Sequence, residues 1–148
     1  MAPSYHYPDI GTLGEDFVAQ WLTDSGWKIL HRSWKGGRGE IDIIAEYKNT
    51  TQELTLAFVE VKTRSAGNWD SGGRDAVESR KQTKCVRAAQ MFLIEHPDKE
   101  NCTCRFDVAI VSCERKSRRA PSRDGISVQE SGYYLTLQEY IVSAFDAL

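Results

Sequence analysis

A chain of 148 residues, 41% hydrophobic and 27% charged, has the size and composition of one soluble domain with its own core. A net charge of −2 argues against a protein that is basic all over and coats nucleic acid, while leaving room for a local basic face. No apolar run reaches the length of a membrane span, and Met1–Ile10 lacks the pattern of a secretory signal, so a cytoplasmic protein with no membrane partner is expected. The cysteines Cys85, Cys102, Cys104 and Cys113 form no C-x-x-C pair and match no common zinc spacing with His96; they are expected as reduced core thiols.

Residues 1–9 have no period and read as a loose arm. Leu13, Phe17, Val18, Trp21 and Leu22 recur at helical spacing, predicting a first helix over Gly11–Asp24 closed by Gly26. Trp27–Trp34 reads as a strand with Trp27, Ile29 and His31 on one face. Lys35-Gly36-Gly37 is a turn, and Arg38–Tyr47 a second strand. A polar loop, Lys48–Glu53, leads into a third strand, Leu54–Arg64. Ser65–Gly73 is a glycine- and serine-rich loop containing Trp69, and Arg74–His96 a second helix ended by Pro97. Cys104–Cys113 is a fourth strand, with Phe106, Val108 and Ile110 on one face and Ala109 and Val111 on the other. Residues 114–125 read as a mobile basic loop with Arg115, Lys116, Arg118, Arg119 and Arg123. A weak strand near Ile126–Val128 or Tyr133–Leu135 and a short helix, Gln138–Ala147, complete the chain.

Three successive strands suggest an antiparallel meander, and the helical crossover to the fourth adds it to the same sheet. The third strand offers apolar residues on both faces, so helices are expected to cover both sides. The expectation is a single α/β domain over residues 1–148 with an αβββαβ core and a mixed central sheet.

Glu60 and Lys62 stand two apart in the apolar run Phe58-Val59-Glu60-Val61-Lys62-Thr63-Arg64 and share one face of the strand. Burying such groups is costly unless they are paired or bind something. A hairpin turning around Thr51 sets Asp42 opposite Glu60 and Glu40 opposite Lys62. Facing carboxylates repel, and a hard divalent ion with one or two carboxylate ligands relieves them. The alternative is a charge ladder at the sheet end, Glu40 with Lys62 and Asp42 with Arg64. The D-x17-E-x-K spacing on a hairpin favours the metal site.

Gly39-Glu40-Ile41-Asp42-Ile43-Ile44, the Phe58–Arg64 run and Arg105-Phe106-Asp107-Val108 resemble the YraN-like family of small bacterial proteins. That family is similar in fold to restriction-endonuclease-like PD-(D/E)xK nucleases and archaeal Holliday-junction resolvases. The resemblance runs from about Gly11 to Phe145. It implies Asp42 and Glu60 as ligands of Mg²⁺ or Mn²⁺ and Lys62 as the catalytic lysine. Ile41 stands where the superfamily pattern names proline, and Ser33 where the family often has asparagine.

Three further residues bear on the site, and Glu15 and Lys81 have two readings each. Glu15 resembles the first-helix glutamate that completes the metal site in resolvase-like relatives, yet Thr12-Leu13-Gly14-Glu15 also fits a capping box. Glu40 is a candidate helper at the metal. Lys81 lies on the Val77–Cys85–Ala88 stripe and either stands near the site, holding phosphate, or lays its stem on the core and reaches water.

Lys28, Arg32, Lys35 and Arg38 form one basic stretch, and Arg80, Lys84 and Arg87 fall on one helical face. With Arg64, and with Trp34 and Trp69 for base stacking, they are candidates for binding nucleic acid. Arg105 and Asp107 read as a salt bridge at the start of the fourth strand. The favoured expectation is a Mg²⁺- or Mn²⁺-dependent phosphodiesterase acting on DNA, branched or damaged DNA included. The rival is a non-catalytic nucleic-acid-binding or protein-interaction module on the same fold. The sequence leaves the oligomeric state open.

Overall fold

The apolar stripe of the first helix is buried in the computed structural model of the protein. It describes residues 9–65, 79–115, 127–130 and 132–146, with 79–80 and 127–130 described through the backbone alone. Helix α1 (Ile10–Asp24) buries Leu13, Phe17, Val18 and Leu22. Asp9 caps it, its Oδ1 accepting from Gly11 N at 2.9 Å, and Gly26 follows the other end at φ 95° as expected. Strands β1 (Lys28–Gly36), β2 (Gly39–Lys48) and β3 (Leu54–Ser65) form the antiparallel meander. Gly37 and Arg38, at φ 56° and 63°, make the two-residue turn between β1 and β2. Helix α2 (Ser79–Glu95) and one 3-10 turn (Pro97–Lys99) return the chain, so that β4 (Thr103–Arg115) pairs parallel to β3. Strands β5 (Ser127–Glu130) and β6 (Tyr133–Phe145) complete a six-stranded mixed sheet in the order β1-β2-β3-β4-β6-β5.

Each face of the sheet packs on one helix, because the central strands are apolar on both faces. Ile43, Ala45, Ala57, Val59, Val61, Ala109 and Val111 pack on the α1 side. Ile44, Leu56, Phe58 and Phe106 pack on α2 through Cys85, Ala88, Ala89 and Phe92. Among the described residues no helix is long and apolar enough to cross a membrane.

Three expectations are corrected. Where a C-terminal helix over Gln138–Ala147 is expected, Gln138–Phe145 is instead the second half of β6, paired antiparallel with β4. Without β6, the buried strand β4 would present an open edge. Irregularities between Phe106 and Val108 and between Ile110 and Val111 break strict alternation. Residues spaced as on a helix therefore reach both faces: Tyr140 packs against Trp21 and Phe145 stacks on Phe106. Second, Glu114 and Arg115 belong to β4 rather than to a loop. Third, a bulge between Ile29 and His31 turns His31 towards Phe92 and His96, away from the face holding Trp27 and Ile29. Ser33 takes φ 51°, a left-handed conformation in which asparagine is enriched. The arm over residues 1–8, the loop containing Trp69, the start of the second helix before Ser79 and the basic run after Arg115 lie outside the described residues.

Candidate functional site

The β2–β3 register runs from Lys48↔Leu54 to Ile43↔Val59, the last pair before the position where the hairpin spacing expects Asp42 against Glu60. There the strands part. The Val61 N–H lies beyond the last ladder pair and donates to Asp42 Oδ2 at 2.8 Å. Ile41 and Ile44 both pack on the α2 side, so the alternation of β2 breaks at Asp42. Glu40 is consequently not set against Lys62. It lies exposed, and its charge acts on Glu15.

Glu60 is 5% exposed. Burial of a carboxylate demands partners, and three surround it. Lys62 Nζ stands 3.8 Å from Oε1, the Lys81 ammonium contacts the same oxygen, and the Cys85 thiol faces Oε2 at 3.8 Å. Lys81 and Cys85 are one helical turn apart on α2 and so meet the same carboxylate. Lys81 is therefore not merely a lysine reaching for water.

These contacts perturb the titrations. Burial, then repulsion from Glu60, pushes the Asp42 carboxyl up to about 7; the Val61 N–H bond and Lys81 oppose this, and Glu15 adds to it. Burial, then the neighbouring Lys81 ammonium, lowers Lys62 to about 8. Burial also pulls on Lys81, but its contacts with Glu60 and Lys62 outweigh that and its pKa is raised. Burial, followed by the Glu60 charge, drives Cys85 up to about 12, so it stays a thiol and a donor.

Glu15 reaches this group because α1 approaches β3 closely. A Cβ added at Gly14 would lie 1.8 Å from Thr63 Oγ1. The helix begins at Asp9, not Thr12, so the capping-box reading of Glu15 falls away. Its carboxyl is half-buried and its pKa raised, by burial first; Arg32 opposes, and Glu40, Asp16 and Glu60 add to the rise. Arg32 itself is held by Asp16 at 2.7 Å.

At the β1–β2 turn an open groove of about 540 Å³ is lined by Lys35, Gly36, Arg38, Gly39, Glu40 and Lys84. The turn presses on α2: a Cβ at Gly39 would lie 2.2 Å from the Lys84 carbonyl oxygen. Of the basic candidates, Lys35, Arg38 and Lys84 meet here. Arg64 lies farther along β3, half-buried, its charge acting on Lys62. Trp34 packs edge-on against Phe92 at 5.5 Å, a core role. Trp69 and the Arg80 side chain lie outside the described residues.

Sequence reading counted Cys85 as part of an apolar stripe and missed its thiol; the i, i+4 relation to Lys81 was the available signal. Nothing in the sequence singled out Ser112. It pairs with Arg64 across β3 and β4, and Ser112 Oγ, Arg64 Nε and Thr63 Oγ1 are buried without a hydrogen-bond partner. Asp107 is fully buried and accepts from Arg105 Nε (3.0 Å), Tyr140 Oη (2.7 Å) and Ser143 N (3.0 Å), which locks β6 to β4 as a structural network. Arg105 also lies 4.9 Å over the Trp27 ring, and burial, then Asp107, raises the Tyr140 pKa. Among the described residues no three His, Cys, Asp or Glu side chains group as a metal cage; His96 stacks on Phe92 and the four cysteines form no disulfide.

Comparison with known proteins places this site in context. A model described as "Uncharacterised protein family UPF0102" matches residues 14–111, a span that includes Glu15, Asp42, Glu60, Lys62 and Lys81. The chain is 54% identical over 140 residues to a UPF0102 protein of Nostoc sp. (strain PCC 7120), covering 95% of this chain and 96% of that protein. It is 50% identical over 145 residues to one from Trichormus variabilis, covering 95% and 96%. A third, from Synechocystis sp., is 42% identical over 149 residues, covering 93% and 97%.

Proposed function

Because the chain belongs to the uncharacterised protein family UPF0102, whose name assigns no chemistry, we infer its function from the site itself: a metal-dependent phosphodiesterase acting on DNA. We relate its fold to the restriction-endonuclease-like nucleases and place it in the cytoplasm. The observation that carries this reading is the buried Asp42 carboxyl near the buried Glu60 at one end of the sheet, with the Glu15 charge acting on Asp42 as well. There, repulsion helps hold the Asp42 carboxyl near 7.

The donor set fits Mg²⁺ or Mn²⁺. It consists of hard carboxylate oxygens, and Mg²⁺ needs only one or two of them because water and phosphate oxygen complete its shell. Asp42 and Glu60 would hold the ion, with Glu15 or Glu40 as helpers through water. When bound, the ion neutralises phosphate charge and acidifies water. Lys62, lowered to about 8, is poised near neutrality to hold or take a proton at Nζ beside the attacking water. The groove cations Lys35, Arg38 and Lys84 would track the phosphate backbone, with Arg64 flanking Lys62.

A second reading has a specific observation in its favour. Glu60 is already neutralised by two lysines and Asp42 already accepts from Val61, a self-satisfied network suited to a non-catalytic nucleic-acid-binding or protein-interaction module. The deciding experiment is incubation with supercoiled, linear, single-stranded and four-way-junction DNA, with Mg²⁺ or Mn²⁺, against Lys62→Ala. Cleavage lost in the variant supports the enzyme. Binding without cleavage, unaltered by Lys62→Ala, selects the module.

A further inference from the structure

Two ammonium groups converge on one oxygen of a buried carboxylate. Lys62 is rooted two residues from Glu60 on the same strand, and its side chain is 15% exposed. Lys81 crosses from α2, and its side chain is 40% exposed. Glu60 Oε1 is thus occupied by cationic donors from two elements, while the Asp42 carboxyl lies near enough for the Glu60 charge to raise its pKa.

An ion ligated by Glu60 would sit about 2.0–2.1 Å from a carboxylate oxygen. An ammonium on that same oxygen would then face a doubly charged neighbour at contact range, and their repulsion is twice that between two unit charges. Where the ion takes Oε1, one of the two lysines gives way. Lys62 is enclosed and lies along the strand that carries the ligand. Lys81 has the solvent-open path, a flexible stem and α2 as its separate anchor.

We propose that Lys81 is a built-in cation that holds the ion's place at Glu60, and that divalent metal and the Lys81 ammonium occupy this carboxylate in exclusion of one another. The inference rests on the metal-site reading of Asp42 and Glu60. It explains how a buried carboxylate beside other carboxylates is never left unneutralised: Lys81 covers it before the ion arrives. It also sets the metal affinity, because every binding event must first break the Lys81–Glu60 contact. A lysine freed in this way is anchored one turn before Lys84, which lines the groove where a phosphate backbone would run.

The test is calorimetric titration of Mn²⁺ into the wild-type protein, Lys81→Met and Lys81→Arg. Methionine keeps the stem and removes the competing charge; arginine keeps the charge. The expected result is at least about tenfold tighter Mn²⁺ binding by Lys81→Met, about 1.4 kcal/mol, with Lys81→Arg close to wild type. Equal or weaker binding by Lys81→Met overturns the proposal while leaving the metal site standing. Absence of binding in all three proteins, with Asp42→Ala no different, overturns both. NMR of the Lys81 side chain in the wild-type protein reads the same exchange without any variant. Its Nζ and Cε signals should move towards those of a solvated lysine as Mg²⁺ saturates the site, and fixed signals under demonstrated Mg²⁺ binding sink the idea.

Discussion

Asp42→Asn removes a charge that the folded protein holds at a cost. The carboxyl moves from 3.8 to about 7 on folding, a rise of about 3 pH units, through burial first and Glu60 second. At about 1.4 kcal/mol per unit this is roughly 4 kcal/mol of destabilisation once the group ionises, a ceiling that relaxation of the half-buried site lowers. The sign follows from the direction of the change. The folded state keeps the Asp42 proton where the unfolded chain has released it, so this contribution to stability is complete below pH 3.8. It is lost as pH rises through about 7. Asparagine mimics the protonated form, and its carbonyl can still accept from Val61 N. Urea unfolding of both proteins from pH 4 to 7.5 should give matching stabilities at pH 4 and a gap opening to about 2–4 kcal/mol in favour of Asp42→Asn at pH 7.5. Lys62 titrates near 8, at the upper edge of this window, and is common to both proteins. Mg²⁺ added at pH 7.5 should stabilise the wild type and not the variant. A pH-independent difference, or a variant less stable than wild type at pH 7.5, would refute the electrostatic reasoning.

Asp107→Ala should cost about 3–5 kcal/mol in urea unfolding, because it strands Arg105, the Tyr140 hydroxyl and the Ser143 N–H together; a loss below about 1 kcal/mol would show that the network does not lock β6. Gly14→Ala should destabilise by about 1–3 kcal/mol through its collision with Thr63 Oγ1, and adding Thr63→Ala should recover most of that; additive losses would place the strain elsewhere. Neutralising Lys35, Arg38 or Lys84 should lower the salt dependence of DNA binding by about one phosphate contact each, read from log K against log salt. Arg32→Ala should change it less, because Asp16 already holds that guanidinium. Unchanged slopes for the three groove residues would remove the groove from the binding path.

The carboxylate–lysine pair was legible in the sequence because hairpin geometry is local. Five residues separate β2 from β3, and the period-two alternation of a strand then dictates which side chains face each other. The apolar runs of β3 and β4 likewise announced strands covered on both faces. The C-terminal segment was misread for the complementary reason. Tyr140, Ile141, Ala144 and Phe145 satisfy a helical period, and only β4, more than twenty residues earlier, converts them into a bulged strand.

By itself the sequence determined the order of elements up to β4, the two buried faces of the central strands and the nearness of Asp42 to Glu60. All of these follow from periodicity and short connections. Tertiary structure alone decided which groups complete that pair. Lys81 and Cys85 come from a helix packed across the sheet, and Glu15 is admitted by the missing side chain at Gly14. Glu40 is turned aside where β2 parts from β3. Contacts between elements depend on how closely two surfaces can approach and on where an alternation breaks, and a linear pattern carries neither quantity.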